Sequence, residues 1–61
     1  MARTYAWPEK RKYPLDTRQQ VHAAIAHFAQ NRHLYAPTAR ARVGARIRAR
    51  ARGLGIHVRA F

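Results

Sequence analysis

The sequence predicts an all-α fold, a small helix–loop–helix (helical hairpin) with an irregular aromatic N-terminal arm and a short extended C-terminal tail. Three observations predict it. Val21, Ile25 and Phe28, and then Val43, Ile47 and Leu54, recur at the helical period. Ala and Arg, strong helix formers, dominate the second stretch, and Ala the first. Pro8, Pro14 and Pro37 lie outside those stretches or at the start of one, where a helix tolerates proline. The 61 residues form one domain, and a chain of that size buries only ~60% of its extended surface. With no cysteine, neither a disulfide nor a thiolate zinc site supplements the core.

Residues 1–15 form the arm. Tyr5, Trp7, Tyr13 and Leu15 surround the basic knot Lys10-Arg11-Lys12, and two prolines bias the residues before them towards extended backbone. The aromatics are expected to pack on the protein's own core, because so small a domain needs the area.

The first helix spans 16–32. Asp16 is expected as its N-cap, with Gln19 three residues on completing a capping box. Ala24 joins the Val21/Ile25/Phe28 stripe, and Ala23, Ala26 and Ala29 keep the neighbouring surface thin enough for close helix approach. Residues 33–37 form the loop, with Leu34 and Tyr35 tucked beneath it.

The second helix, 38–53, resolves a conflict in "ARARVGARIRARARG". Apolar and charged residues alternate there as in a strand, yet a strand would point Leu54 away from Val43 and Ile47. A helix gathers Val43, Ile47, Ala51 and Leu54 into one stripe, with Ala39 extending it. The bulky residues select the helix. Pro37 suits its first position, or Thr38 caps just after it, and Gly53 or Gly55 ends it in a left-handed conformation. Gly44 is tolerable if it admits close packing against the first helix. Residues 54–61 are the tail, with Ile56 and Val58 on one side and able to return to the core.

Charge dominates the functional reading. Thirteen Lys and Arg, eleven of them Arg, against Glu9 and Asp16 make a net charge of +11. Arginine grips phosphate or carboxylate in a bidentate fork. Wound into a helix, Arg42 and Arg46 flank one edge of the apolar seam, Arg40 flanks the other, and Arg48 and Arg52 lie on the outer face. Arg50 falls near the seam, its guanidinium reaching outwards or to C-terminal carbonyls. No acid occurs in 17–61 to pair with them. A merely solvated face would be served equally by mixed charges, whereas one sign prevails here, so a polyanion-binding face is preferred. Its candidate residues are Lys10, Arg11, Lys12, Arg40, Arg42, Arg46, Arg48 and Arg52. No zinc-finger spacing or RNA-binding aromatic motif is present, so the pattern reads phosphate and not base sequence, in DNA or RNA.

Other classes are poorly supplied. The apolar stripe lacks the Trp, Phe and Leu of a membrane-surface helix, and no run approaches a membrane span. His22 and His27 face different sides of their helix, leaving no metal site and no implied cofactor. Glu9 and Asp16, in an arm and at a cap, are not positioned for acid–base catalysis. A pocket of ~300 Å3 is not expected between two short helices, so neither an enzyme nor a small-molecule substrate is expected. No signal-peptide core follows the start, and the expected setting is cytoplasmic or within a virion or other assembly.

"PEKRKYPL", then "VHAAIAHFA", then "RIRARARGLGI" resemble a short module of tailed-phage and prophage head-region proteins, over Trp7 to Val58. The shared features are Pro8, Tyr13-Pro14-Leu15, Ala24, Phe28, Ile47, Ala51 and Leu54-Gly55-Ile56. That resemblance implies a helical hairpin and a virion or prophage setting, and assigns no catalytic residue. The expected function is non-enzymatic: nucleic-acid binding or packaging, through the second helix and the 10–12 knot. The alternative is a structural protein of a phage head or similar assembly. Its arginines would meet an acidic protein surface, with Tyr5 and Trp7 as interface anchors.

Overall fold

The computed structural model describes residues 4–61, so the first three residues of the expected arm lie outside the described residues. The arm is not irregular, and the fold is not purely α. Strand β1 (Tyr5–Trp7) pairs antiparallel with β2 (Lys12–Pro14), Tyr5 opposite Pro14 and Trp7 opposite Lys12. A 3₁₀ turn at Pro8–Lys10 joins them, closed by Arg11, whose φ of 50° lets its N–H reach the Pro8 carbonyl at 3.1 Å. The prolines exclude helix but leave room for a two-stranded ribbon, because Pro14 sits at a strand end where no ladder donor is required. Ala6 points inwards and is buried, while Tyr5 and Trp7 are half-buried.

Tyr13 departs from the extended backbone expected before a proline, with φ at 59°. A non-glycine residue there costs ~1–3 kcal/mol. Its ring is held edge-on to Phe28 with centroids 6.1 Å apart, and its hydroxyl is hydrogen-bonded to that of Tyr35.

Helix α1 is Arg18–Asn31, shorter than expected at both ends, and its cap lies one residue further on. Thr17, not Asp16, is the N-cap: its Oγ1 accepts the Gln20 N–H at 3.1 Å, and Gln20 Oε1 accepts the Thr17 N–H at 3.0 Å. Either residue can cap, but Gln20, unlike Gln19, stands three residues after Thr17 and completes the box. Asp16 is thereby freed, and its Oδ1 accepts the Thr4 N–H at 3.0 Å, tying the ribbon to the start of α1.

A 3₁₀ turn, Arg32–Leu34, leads to α2, Pro37–Gly53. Leu34 is 69% exposed rather than tucked beneath the loop, because the space goes to Tyr35. The Tyr35 ring meets Trp7 edge-on at 5.0 Å and lies near-parallel to Phe28 at 6.2 Å. Pro37 takes the first position of α2 behind Ala36, and Thr38 does not cap it. Gly55, not Gly53, supplies the left-handed residue, at φ 71°. The Ile56 N–H reaches the Ala51 carbonyl at 2.8 Å and the Gly55 N–H reaches Arg52 at 3.1 Å, the paired bonds of a Schellman termination.

Ala6, Leu15, Val21, Ala24, Phe28, Val43, Ile47 and Ala51 form the buried core, so both predicted stripes face each other. Ile25 and Leu54 are half-buried at its margin, and Ile56, Val58 and Phe61 of the tail pack back onto it. Gly44 allows the approach of α1: a Cβ there would lie 3.2 Å from Phe28 Cε2.

Candidate nucleic-acid interface

The helical period divides the arginines of α2 between two flanks. At about 100° per residue, Arg40, Arg48 and Arg52 lie towards the side of Gly44, and Arg42 and Arg46 towards the opposite side. The predicted cations therefore do not form one surface.

On the Gly44 side lies an open depression of about 410 Å3. Arg32, Arg40, Arg48 and Arg52 line it together with the half-buried Phe61, and the buried Phe28 and Gly44 lie behind. A second hollow, about 570 Å3, is also lined by Arg48, Arg52 and Phe61, and adds His57 and Val58 from the tail. Sharing those residues, the two make one furrow along α2. Hollows of this size were not expected of two short helices, and the tail supplies the missing wall.

Among the described residues, no Asp or Glu lines either hollow. Arg48 is set by the tail, its guanidinium carbon 5.2 Å from the Phe61 ring centroid in a cation–π contact. Phe61 in turn meets Phe28 edge-on at 4.7 Å. Arg40 is half-buried rather than free: its Nη2 donates to the Tyr35 carbonyl at 3.1 Å, while its Nε is buried with no acceptor among the described residues. Arg52 and Arg32 are exposed.

The opposite flank is partly neutralised. Arg42 meets Glu9 of the ribbon turn at 3.1 Å, the one ion pair among the described residues. The acid missing from 17–61 thus reaches this arginine from the arm. A backbone hydrogen bond, and then Arg42 and Arg46, hold the Glu9 carboxyl below its ordinary range. Arg42 and Arg46 line a notch of about 250 Å3 beside Trp7. The 10–12 knot sits apart on the ribbon, with Lys10 Nζ 4.9 Å above the Trp7 ring and Arg11 and Lys12 exposed. Tyr5 and Trp7, the candidate protein anchors, are half-buried, and Trp7 packs against the core cluster.

Two other arginines serve the fold. Arg50 does not reach outwards or cap α2; its Nε donates to the Leu15 carbonyl at 2.8 Å, joining α2 to the end of the ribbon. Arg18 Nη2 donates to the Leu54 carbonyl, also at 2.8 Å.

The sequence reading missed Arg32 and Phe61. Arg32 was legible: it follows Phe28 by one helical turn, and so falls on the face that Gly44 approaches. Phe61 had no such signal, since only the return of the tail brings it to α2. Among the described residues no group of His, Asp or Glu is placed to hold a metal, and no helix is long and apolar enough to cross a membrane.

Residues 2–60 match a family of unknown function, DUF6582. No curated protein and no solved structure gives a significant match.

Proposed function

The chain belongs to the DUF6582 family, and since that membership brings no activity with it, we propose from the geometry a non-enzymatic protein that binds nucleic-acid phosphates without sequence specificity. The observation that carries this is the furrow: four arginines around one depression, with no acidic side chain among its described lining residues. Phosphate oxygens satisfy such guanidinium forks, and a net charge of +11 speeds encounter with a polyanion. The cytoplasm, or the interior of a virion or similar assembly, is the setting that suits it.

Counterion release supplies the test. With four arginines engaged, log K for duplex DNA should fall with log salt at a slope of about 3 to 4. Arg52→Ala should lower that slope by about one, equally for any sequence. Absence of binding to any duplex or single strand at about 50 mM salt would eliminate the reading.

The notch favours a second reading. Trp7 beside Arg42 and Arg46 suits an acidic protein surface, as in a structural protein of a phage head or similar assembly. On that reading Arg46→Glu abolishes incorporation into the assembly and leaves the salt slope for DNA unchanged.

A further inference from the structure

We infer that the furrow is built for single-stranded nucleic acid, its phosphates on the arginines and a base against the apolar floor at Phe61. This inference rests on the nucleic-acid reading above and names the form of the ligand.

Shape is the first argument. A duplex offers a protein surface two ridges of phosphate, with its base faces stacked inside. Cations along an exposed helix face would meet those ridges. Here the cations border a concavity whose accessible aromatic surface is the half-buried Phe61, backed by the buried Phe28 and Gly44. A duplex ridge leaves that floor empty, whereas an unstacked base covers it. A cationic groove with an aromatic platform is the common device of proteins that hold single strands without reading sequence.

Continuity is the second argument. Phe61, Arg48 and Arg52 line both hollows, so the ring stands between two spaces, with Arg48 over its face. A site for a lone phosphate would need only one. The arrangement suits a strand passing over the ring, with successive phosphates reaching Arg40 or Arg32 in one hollow and Arg52 between them. Arg40 adds a buried donor, its Nε, with no acceptor among the described residues. A phosphate oxygen is the kind of acceptor that donor lacks.

The whole protein tests this by fluorescence anisotropy with three labelled probes at one salt concentration. These are an oligothymidylate about 12 nucleotides long, the same strand carrying abasic sites throughout its centre, and a duplex of equal length. The abasic strand keeps every phosphate and loses only base faces. The oligothymidylate should bind at least about fivefold more tightly than the abasic strand, the lower end of the stacking range, and more tightly than the duplex. Phe61→Leu, which keeps apolar contact with Phe28, should erase the gap between thymidylate and abasic strands and leave the salt slope unchanged. Equal binding of the thymidylate and abasic strands, or a preference for duplex, overturns the inference while the phosphate reading stands. Loss of binding to all three probes overturns both. The comparison of strands on the unmodified protein decides the matter even if Phe61→Leu weakens the fold.

Discussion

Substituting Gly44 by alanine sets helix propensity against packing. Glycine inside a helix costs about 1 kcal/mol relative to alanine, so the exchange alone should stabilise α2 by that much. The new methyl would lie 3.2 Å from Phe28 Cε2 and 3.4 Å from its Cζ, and 3.6 Å from Phe61 Cε2. The ring must therefore retreat by a few tenths of an ångström. Phe28 is 1% exposed and is bounded by Tyr13, Tyr35 and Phe61. Of these only Phe61, on an extended tail, has freedom to yield, and it lies on the same side as the methyl. Overpacking of this kind costs ~1–3 kcal/mol. The net expectation is a loss of about 1 kcal/mol, or about 4 to 8 °C in melting temperature for a domain of this size. Thermal unfolding followed by circular dichroism reads it directly. A melting temperature raised by the same amount would refute the reasoning, since the aromatic cluster would then be loose enough for propensity to decide.

Ile47→Ala empties a fully buried site and should destabilise by ~2–5 kcal/mol, against a total of about 3 to 9 for the domain, whereas Arg46→Ala should stay within about half a kcal/mol; urea titration separates them. Trp7→Ala removes the edge contact with Tyr35 and the seat of Lys10. It should lower stability by about 2 kcal/mol, and an unchanged melting temperature would return Trp7 to the role of a free anchor. The Tyr13 hydroxyl is pushed above its ordinary value of 10.0 by burial first and by Tyr35 second. Because the neutral form belongs to the fold, its contribution is complete below about pH 10 and drains as pH rises further. Tyr13→Phe should remove that alkaline component from a series of melting curves, and an identical series would overturn the assignment.

Both helices and their facing stripes were legible because Val21, Phe28, Val43 and Ile47 are bulky and fall at one period. The ribbon was not. Its strands are three residues each, too short for alternation to show, and its turn depends on Arg11 adopting a conformation more typical of glycine. The capping shift from Asp16 to Thr17 was undecidable locally, since both residues cap and both have a glutamine three residues on. Asp16 is drawn off by the Thr4 amide, a contact no local pattern encodes. The site was legible in chemical type but not in arrangement. Spacing on α2 separated Arg42 and Arg46 from Arg48 and Arg52, yet the division became a furrow on one side and an ion-paired notch on the other through the tail and the ribbon. Those are the two segments with no helical period to read.

On the nucleic-acid proposal, the carbonyl bonds made by Arg18 and Arg50 bear on how a bound polyanion would be released. Each joins a guanidinium to a backbone dipole at close range, and dissolved ions screen such short contacts far less than the attraction between separated full charges. Raising the ionic strength therefore acts in opposite directions on capture and on architecture. It would strip counter-charged ligand from the proposed furrow, while it relaxes the mutual repulsion of eleven net positive charges and leaves those two fastenings in place. Released chains should emerge intact and slightly harder to melt. If the nucleic-acid proposal holds, the protein would pass from one strand to another without leaving its folded state.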